Sequence, residues 1–302
     1  MSQTVLVLGA TGRFGRNAAQ AFEAAGWTVR RFDRKSDALI SAAQGADVIV
    51  NAWNPAYPDW ADQVPKLHEQ VIEAARLSGS AVIVPGNVYV FGAEMPPPWS
   101  ESTPHQAANP LGRIRIAMEE AYRASGVRTI ILRAGDFIDT ETSGNWFDQV
   151  MIKHLARGRL TYPGEPHIPH AWAYLPDLAR AAVALAEMRG NLPRFSDVPF
   201  PGHTLTGREI ADTLSRVTGQ RIEVRKMGWW PIQLARPFWR LASHLLEMRY
   251  LWDTPHALDG HYFEALLPRF RDTDLDDVMR NAIPAALRRR EINPHKAVAA
   301  GT

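Results

Sequence analysis

The sequence predicts an α/β chain: a doubly wound parallel sheet with a smaller C-terminal lobe packed beside it. Three observations carry this. Short β-branched runs alternate with helical apolar spacing through the first half, the pattern of parallel strands joined by crossover helices. The strand runs are apolar without interruption, as strands covered on both faces are. At 302 residues the chain also exceeds one ordinary compact domain.

Thr4 to Leu8 form the first strand. Phe14, Ala18 and Phe22 follow at four-residue steps on one helix face, and Gly26 stops that helix. Val29 to Phe32 and Asp47 to Asn51 are the next strands. Leu67, Val71, Ala74 and Ala75 give a further helix its apolar stripe, closed by Ser78-Gly79. Ala81 to Val84 and Arg128 to Leu132 are two more buried strands, with a helix over roughly 110–124 between them. The second half is punctuated by Pro and aromatic residues. Thr206-Gly-Arg-Glu209 is a capping box opening a helix with Ile210, Leu214 and Val217 on one face and Gly219 at its stop. Thr273 opens another, with Leu275, Val278, Met279 and Ala282. Trp229-Trp230-Pro231, then Ile232, Ala235, Phe238, Trp239, Ala242 and Leu246, predict one amphipathic helix packed into the small lobe; a homodimer through that face is the alternative. No internal repeat or low-complexity linker interrupts the chain.

Composition narrows the function classes. The chain carries 34 basic and 32 acidic residues, a net charge of +2. The one dense basic run, Arg288-Arg289-Arg290, reads as the solvated end of a helix, so no nucleic-acid partner is expected. With no cysteine there is neither disulfide nor thiolate chemistry. No stretch approaches the ~20 apolar residues of a membrane span, and the first residues lead straight into a strand. The expectation is a cytoplasmic protein with no membrane partner and a small-molecule substrate.

Gly9-Ala10-Thr11-Gly12-Arg13-Phe14-Gly15 joins the first strand to the first helix. Glycines there let the backbone turn sharply and approach a pyrophosphate, which then rests on the free amides of the helix N-terminus. Asp33 ends the second strand 24 positions after Gly9, where a ribose-binding carboxylate belongs. The predicted cofactor is NAD or NADP. Asp33 favours an unphosphorylated ribose; Arg13, Arg34 and Lys35 favour a 2′-phosphate, and the choice stays open.

The spacing Gly-x-x-Gly-x-x-Gly resembles the short-chain dehydrogenase/reductase superfamily in its extended and atypical branches. Asp47-Val-Ile-Val-Asn51-Ala52-Trp53 is similar to the strand and turn beneath the adenine side of the cofactor, and Val90-Phe91-Gly92 to a Val-Tyr-Gly turn. Arg133-Ala-Gly135-Asp136-Phe137 resembles an Arg-Pro-Gly-Asn-Val turn, and Tyr174-Leu-Pro-Asp177-Leu-Ala-Arg the entry to a late helix. The resemblance implies a Rossmann-type domain over 1–150, to which about 170–200 returns, and a mainly substrate-binding lobe over 151–302. It also implies cofactor contacts from Gly9, Thr11, Gly12, Arg13, Phe14, Gly15, Asp33, Arg34, Ala52, Trp53, Arg115 and Gly135.

The catalytic pattern of that superfamily is replaced. Its Ser or Thr corresponds to Asn87, its Tyr to Leu111 and its Lys to Arg115. Leucine moves no proton, arginine stays charged, and asparagine does not titrate. Asn87, Tyr89, Arg115 and Asp136 are the candidate catalytic residues, with Tyr174 a further one. Tyr89 faces the same way as Asn87 if the strand continues, and Asp136 sits where a fifth strand ends. His167 and His170 lack the partners of a metal site and are placed on a loop over the substrate cleft. The aromatic run Trp53 to Trp60 covers the adenine, or the substrate mouth, or is a rigid surface loop. The resemblance implies an epimerase, dehydratase or reductase of nucleotide-sugar type with a rearranged proton donor. A redox sensor or regulator, or a structural subunit with permanently bound dinucleotide, are the rival readings.

Overall fold

A computed structural model describes residues 2–288. In chain order the elements are β1 (Thr4–Leu8), α1 (Arg13–Ala24), β2 (Thr28–Phe32), α2 (Leu39–Ala43), β3 (Val48–Asn51), α3 (Trp60–Ser78), β4 (Ala81–Gly86) and α4 (Pro110–Ser125). There follow β5 (Thr129–Arg133), β6 (Asp136–Ile138), β7 (Arg159–Tyr162), β8 (His170–Tyr174), α5 (Leu175–Glu187), β9 (Phe195–Pro199), β10 (His203–Leu205) and α6 (Gly207–Thr218). The chain continues through β11 (Glu223–Lys226), α7 (Trp230–Ala235), α8 (Arg240–Glu247), α9 (His261–Leu266) and α10 (Leu275–Ala282).

The main sheet is parallel throughout, in the order β2-β1-β3-β4-β5-β9. Its winding reverses between β1 and β3, which opens a crevice at their carboxyl ends, the usual ligand position in open α/β sheets. Because both faces are covered, alternate residues of one strand serve two cores. Val5 and Val7 face α1 and α5 with Phe14, Phe22 and Leu178, while Leu6 and Leu8 face α3 and α4 with Val64, Val71 and Met118. The smaller lobe has its own core of Ile138, Trp172, Ile210, Leu214 and Val278, set around the sheets β10-β8-β6 and β11-β7.

A buried ionic cluster ties the second half of the sheet to α4. Arg133 donates to Glu119 at 2.7 Å and, through Nε, to Asp197 at 3.0 Å, and its guanidinium lies over Phe91. His105, Glu119 and Asp197 are close enough together to suggest a metal set, but the Arg133 guanidinium already takes both carboxylates.

Several expectations are corrected. The helix drawn from Trp229 to Leu246 is two short helices, because Pro237 between them lacks the amide an uninterrupted helix needs. Its apolar stripe is divided: Trp229, Ile232 and Leu246 pack on the core of the smaller lobe and Ala242 is buried, as expected, whereas Phe238 is 93% exposed and Trp239 faces outward. The strand does not continue to Tyr89. It stops at Gly86, and the Asn87 side chain accepts from the Tyr89 amide to cap a 3-10 turn over Val88–Val90. His170 lies on β8 and is buried, not on a loop, whereas His167 is exposed. The last helix is capped by Asp274, since the Thr273 amide and hydroxyl both donate to Asp177. Arg289 and Arg290 lie outside the described residues, and Arg288 follows a 3-10 turn over Ala285–Leu287.

Candidate functional site

The first end of the crevice is steric. Gly9 has φ +72°, and a Cβ there would lie 3.0 Å from the Ala52 carbonyl oxygen, which leads out of β3. A Cβ on Gly15 would lie 2.1 Å from the Gly9 carbonyl oxygen, so α1 packs directly on the turn. The helix has neither a side-chain cap nor an acidic residue in its first turn. Its leading amides and positive dipole end are therefore available to an anion. A diphosphate fits this cradle, whereas any side chain at Gly9 or Gly15 does not.

The predicted contact residues distribute unevenly. Thr11 and Gly12 are exposed on the turn, while the Phe14 ring is buried in the core and leaves only its backbone to the crevice. The Arg13 guanidinium is held by the carbonyls of Ser143 and Gly144, tying α1 to the loop after β6. At the carboxyl end of β2, Trp53 meets Phe32 edge-on, and the Arg34 guanidinium lies 5.7 Å from the Trp53 ring centre. Asp33 is exposed, and one of its carboxylate oxygens accepts from the Lys35 amide at 2.9 Å. Gly135 has a packing role: a Cβ there would lie 2.0 Å from the Ala171 carbonyl oxygen of β8.

The other end lies at the carboxyl ends of β4 and β5. Tyr57 and Tyr89 share a hydrogen bond of 2.5 Å between their hydroxyls, and Trp60 stacks on Tyr89. Burial raises the pKa of both phenols, and the nearby charge of Asp136 adds to it, so both are protonated at neutral pH. Asp136 is about a quarter exposed, and its carboxylate meets His170 Nε2 at 2.7 Å. His170 stacks on Trp252 at 4.4 Å and 13°, with His256 edge-on at 4.2 Å. Burial, with His170 beside it, holds His256 well below the ordinary histidine pKa.

Two of the three replaced positions are buried. Leu111 is 1% exposed, and its amide donates to Glu247 Oε1 at 2.7 Å; the Asn109 side chain donates to the same oxygen. Arg115 is 6% exposed, donates to the Pro85 carbonyl at 2.9 Å, and lies over the Trp60 ring. Its Nε has no partner among the described residues. Tyr174, the further candidate, accepts from Asn281 in the smaller lobe. The pairing of Asp136 with His170 and of Glu247 with α4 had no sequence signal. Tyr57 was legible only as part of an aromatic run.

A hollow of about 560 Å³, lined by Gln3, Asp47, Arg128, Glu187 and Arg189 among others, lies at the opposite, amino end of the strands. The site is placed at the carboxyl ends, where the glycine turn and the titratable groups converge.

Residues 3–161, just over half of the chain, match the family described as the RmlD substrate binding domain. The chain belongs to this family. No curated protein matches this chain. Among solved structures, MoeE5 in complex with UDP-glucose and NAD is similar with a TM-score of 0.71 at 16% identity, covering 93% of this chain and 97% of that one. UDP-glucose 4-epimerase from Brucella ovis in complex with NAD gives 0.69 at 20% identity, covering 94% and 98%. A dTDP-4-dehydrorhamnose reductase from Clostridium acetobutylicum gives 0.68 at 15%, covering 93% and 98%. At such identities the likeness establishes the fold of this RmlD-family chain and leaves its chemistry to the site.

Proposed function

We propose that the chain binds NAD or NADP across the crevice between β1 and β3 and acts on a nucleotide-sugar-like or other carbonyl or hydroxyl substrate by hydride transfer. Asp136 is the proton-transfer group in place of the absent tyrosine. The observation that carries this is the Asp136 carboxylate, held by His170 beside two protonated phenols at the carboxyl ends of the strands.

Gly9, Gly12 and Gly15 would hold the diphosphate, Trp53 and Arg34 would flank the adenosine end, and Asn87 lines the nicotinamide end. When bound, the nicotinamide supplies the hydride acceptor or donor. The chain's own residues manage the proton. Oxidising a carbinol requires loss of its hydroxyl proton, which the Asp136 carboxylate accepts, and reduction returns it. One proton of the Tyr57–Tyr89 pair is spent between the two hydroxyls, so the phenol that accepts within the pair donates its own proton to the reacting oxygen, and His170 fixes the carboxylate's orientation. The nucleotide-sugar complexes among the structural relatives support this substrate class.

A second reading, a cofactor-binding sensor without turnover, is favoured by one observation: Leu111 and Arg115 are sealed into packing. Deuteride transfer from labelled NADH and NADPH to a panel of nucleotide sugars, ketones and lactones separates the two. The enzyme reading expects transfer to at least one compound, with Asp136→Asn lowering its rate about 10²–10⁴-fold at unchanged cofactor affinity. Tight cofactor binding with no transfer anywhere would leave the sensor.

A further inference from the structure

Among the described residues, the exposed large hydrophobic side chains are concentrated in one place. Ile40 and Leu77 stand alone, whereas Trp230, Leu234, Phe238 and Trp239 are 65%, 68%, 93% and 43% exposed within one short hairpin of α7 and α8. The hairpin is anchored rather than loose. The buried Trp229 donates its indole N–H to the Pro163 carbonyl at 2.7 Å, Ala242 is buried, and Glu247 grips the start of α4. Two short helices are thus pinned at both ends with an apolar side turned outward. A contiguous exposed patch of this kind marks a contact surface.

Charge identifies what contacts it. From Val224 to Leu246 there is no Asp or Glu, while Arg225, Lys226, Arg236 and Arg240 are cationic. Arg225 and Lys226 pair with Glu223 and Glu165 off the hairpin. Among the described residues Arg236 meets only the Ser243 hydroxyl, and Arg240 reaches Asp59 at 3.4 Å in an exposed pair, which holds it weakly. Tryptophan, phenylalanine and leucine rimmed by Arg236 and Arg240, of which Arg240 alone meets a carboxylate among the described residues, match the boundary between acyl chains and anionic headgroups. A second copy fits less well, because a two-fold pairing of this face would bring its arginines together while Glu247, the one carboxylate of α7 and α8, is taken by the start of α4.

We propose that the Trp230–Trp239 hairpin docks the protein peripherally on an anionic lipid bilayer. The sequence expectation of no membrane partner rested on the lack of a span. Docking at the interface needs none, and no helix among the described residues is long and apolar enough to cross. Arg240 reaches Asp59, two residues after the Tyr57 that bonds Tyr89, so the docked hairpin lies close to these phenols. This inference stands apart from the cofactor reading.

The test is co-sedimentation of the full chain with extruded vesicles of phosphatidylcholine alone and with phosphatidylglycerol added, at low and high salt. The expected result is binding that needs the anionic lipid and weakens with salt. Trp230→Ser with Phe238→Ser should weaken it roughly tenfold or more. Arg236→Gln and Arg240→Gln should each weaken it about fivefold. Unchanged circular dichroism and cofactor affinity in the variants would show that the fold is intact. The proposal is overturned if the wild type stays in the supernatant, or if the folded variants sediment with it equally. It is also overturned if the wild type is a lipid-indifferent dimer that Phe238→Ser dissociates.

Discussion

Two helices start at the same edge of the main sheet, and their first turns have opposite fates. The N-terminus of α1 carries no side-chain cap and no acidic residue, and glycines clear the space before it. The N-terminus of α4 is closed by Glu247, which reaches back from α8 to the Leu111 amide and the Asn109 side chain. A helix end leaves amides unsatisfied whether or not a ligand is present. What separates a binding site from a sealed joint is whether the chain supplies its own carboxylate. In this molecule the phosphate end is left open, and the end where the superfamily pattern puts its tyrosine is plugged.

The comparison breaks most visibly at Gly15. Gly15→Ala puts a methyl where the Gly9 carbonyl sits, pushing α1 off the turn and forfeiting amide contacts to the diphosphate. NADH affinity measured by fluorescence should fall by about 100-fold, the equivalent of two charged hydrogen bonds; retained affinity would refute the open-terminus reading.

Next comes acid sensitivity behind the sealed side. His68 on α3 is buried with Asn51 and Tyr122, and burial, aided by Arg115, pushes its pKa down to about 3. The unfolded chain takes up this proton near pH 6.5 and the folded chain does not, so stability is complete above that pH and declines as pH falls toward 3. Urea unfolding should show a loss of about 2 kcal/mol from His68 between pH 7 and 5, on top of the share of His256, and His68→Gln should reduce the slope to that share. A wild-type profile level across that range would remove the buried neutral imidazole.

Unplugging α4 should have a smaller effect. Glu247→Ala leaves the Leu111 amide and the Asn109 side chain without their acceptor, lowering stability by about 1–2 kcal/mol. Isothermal titration should find cofactor affinity unchanged; a drop comparable to that of Gly15→Ala would mean that the two helix ends are not independent.

The smallest effect sharpens the open side. Arg34 lies over Trp53 with no carboxylate partner among the described residues, while Asp33 spends one oxygen on its own turn. Arg34→Ala should weaken NADPH about fivefold and NADH far less, the worth of one solvated ion pair. Equal losses for both cofactors would place Arg34 away from the 2′ position.

Much of the sheet was legible because its signals are local. The apolar run Thr4–Leu8, the four-residue steps of Phe14, Ala18 and Phe22, and the capping box at Thr206 each fall within a few residues and form as read. The short helix α2 had no periodic stripe to announce it. Trp229 to Leu246 reads as one helix because its helical spacing is sound, while Pro237 divides it and leaves Trp230, Phe238 and Trp239 facing outward. Tyr89 pointed where it does because Asn87 caps a turn, which alternation along a strand does not foretell.

The sequence alone determined the glycine turn, the parallel sheet, and the loss of tyrosine and lysine at Leu111 and Arg115, since each is written in neighbouring residues. Tertiary structure alone decided that Asp136 meets His170, that Tyr57 meets Tyr89, and that Glu247 closes α4. Those partners are 34, 32 and more than 130 positions apart. No periodicity spans such separations; only the packing of strands and lobes brings the groups within bonding distance.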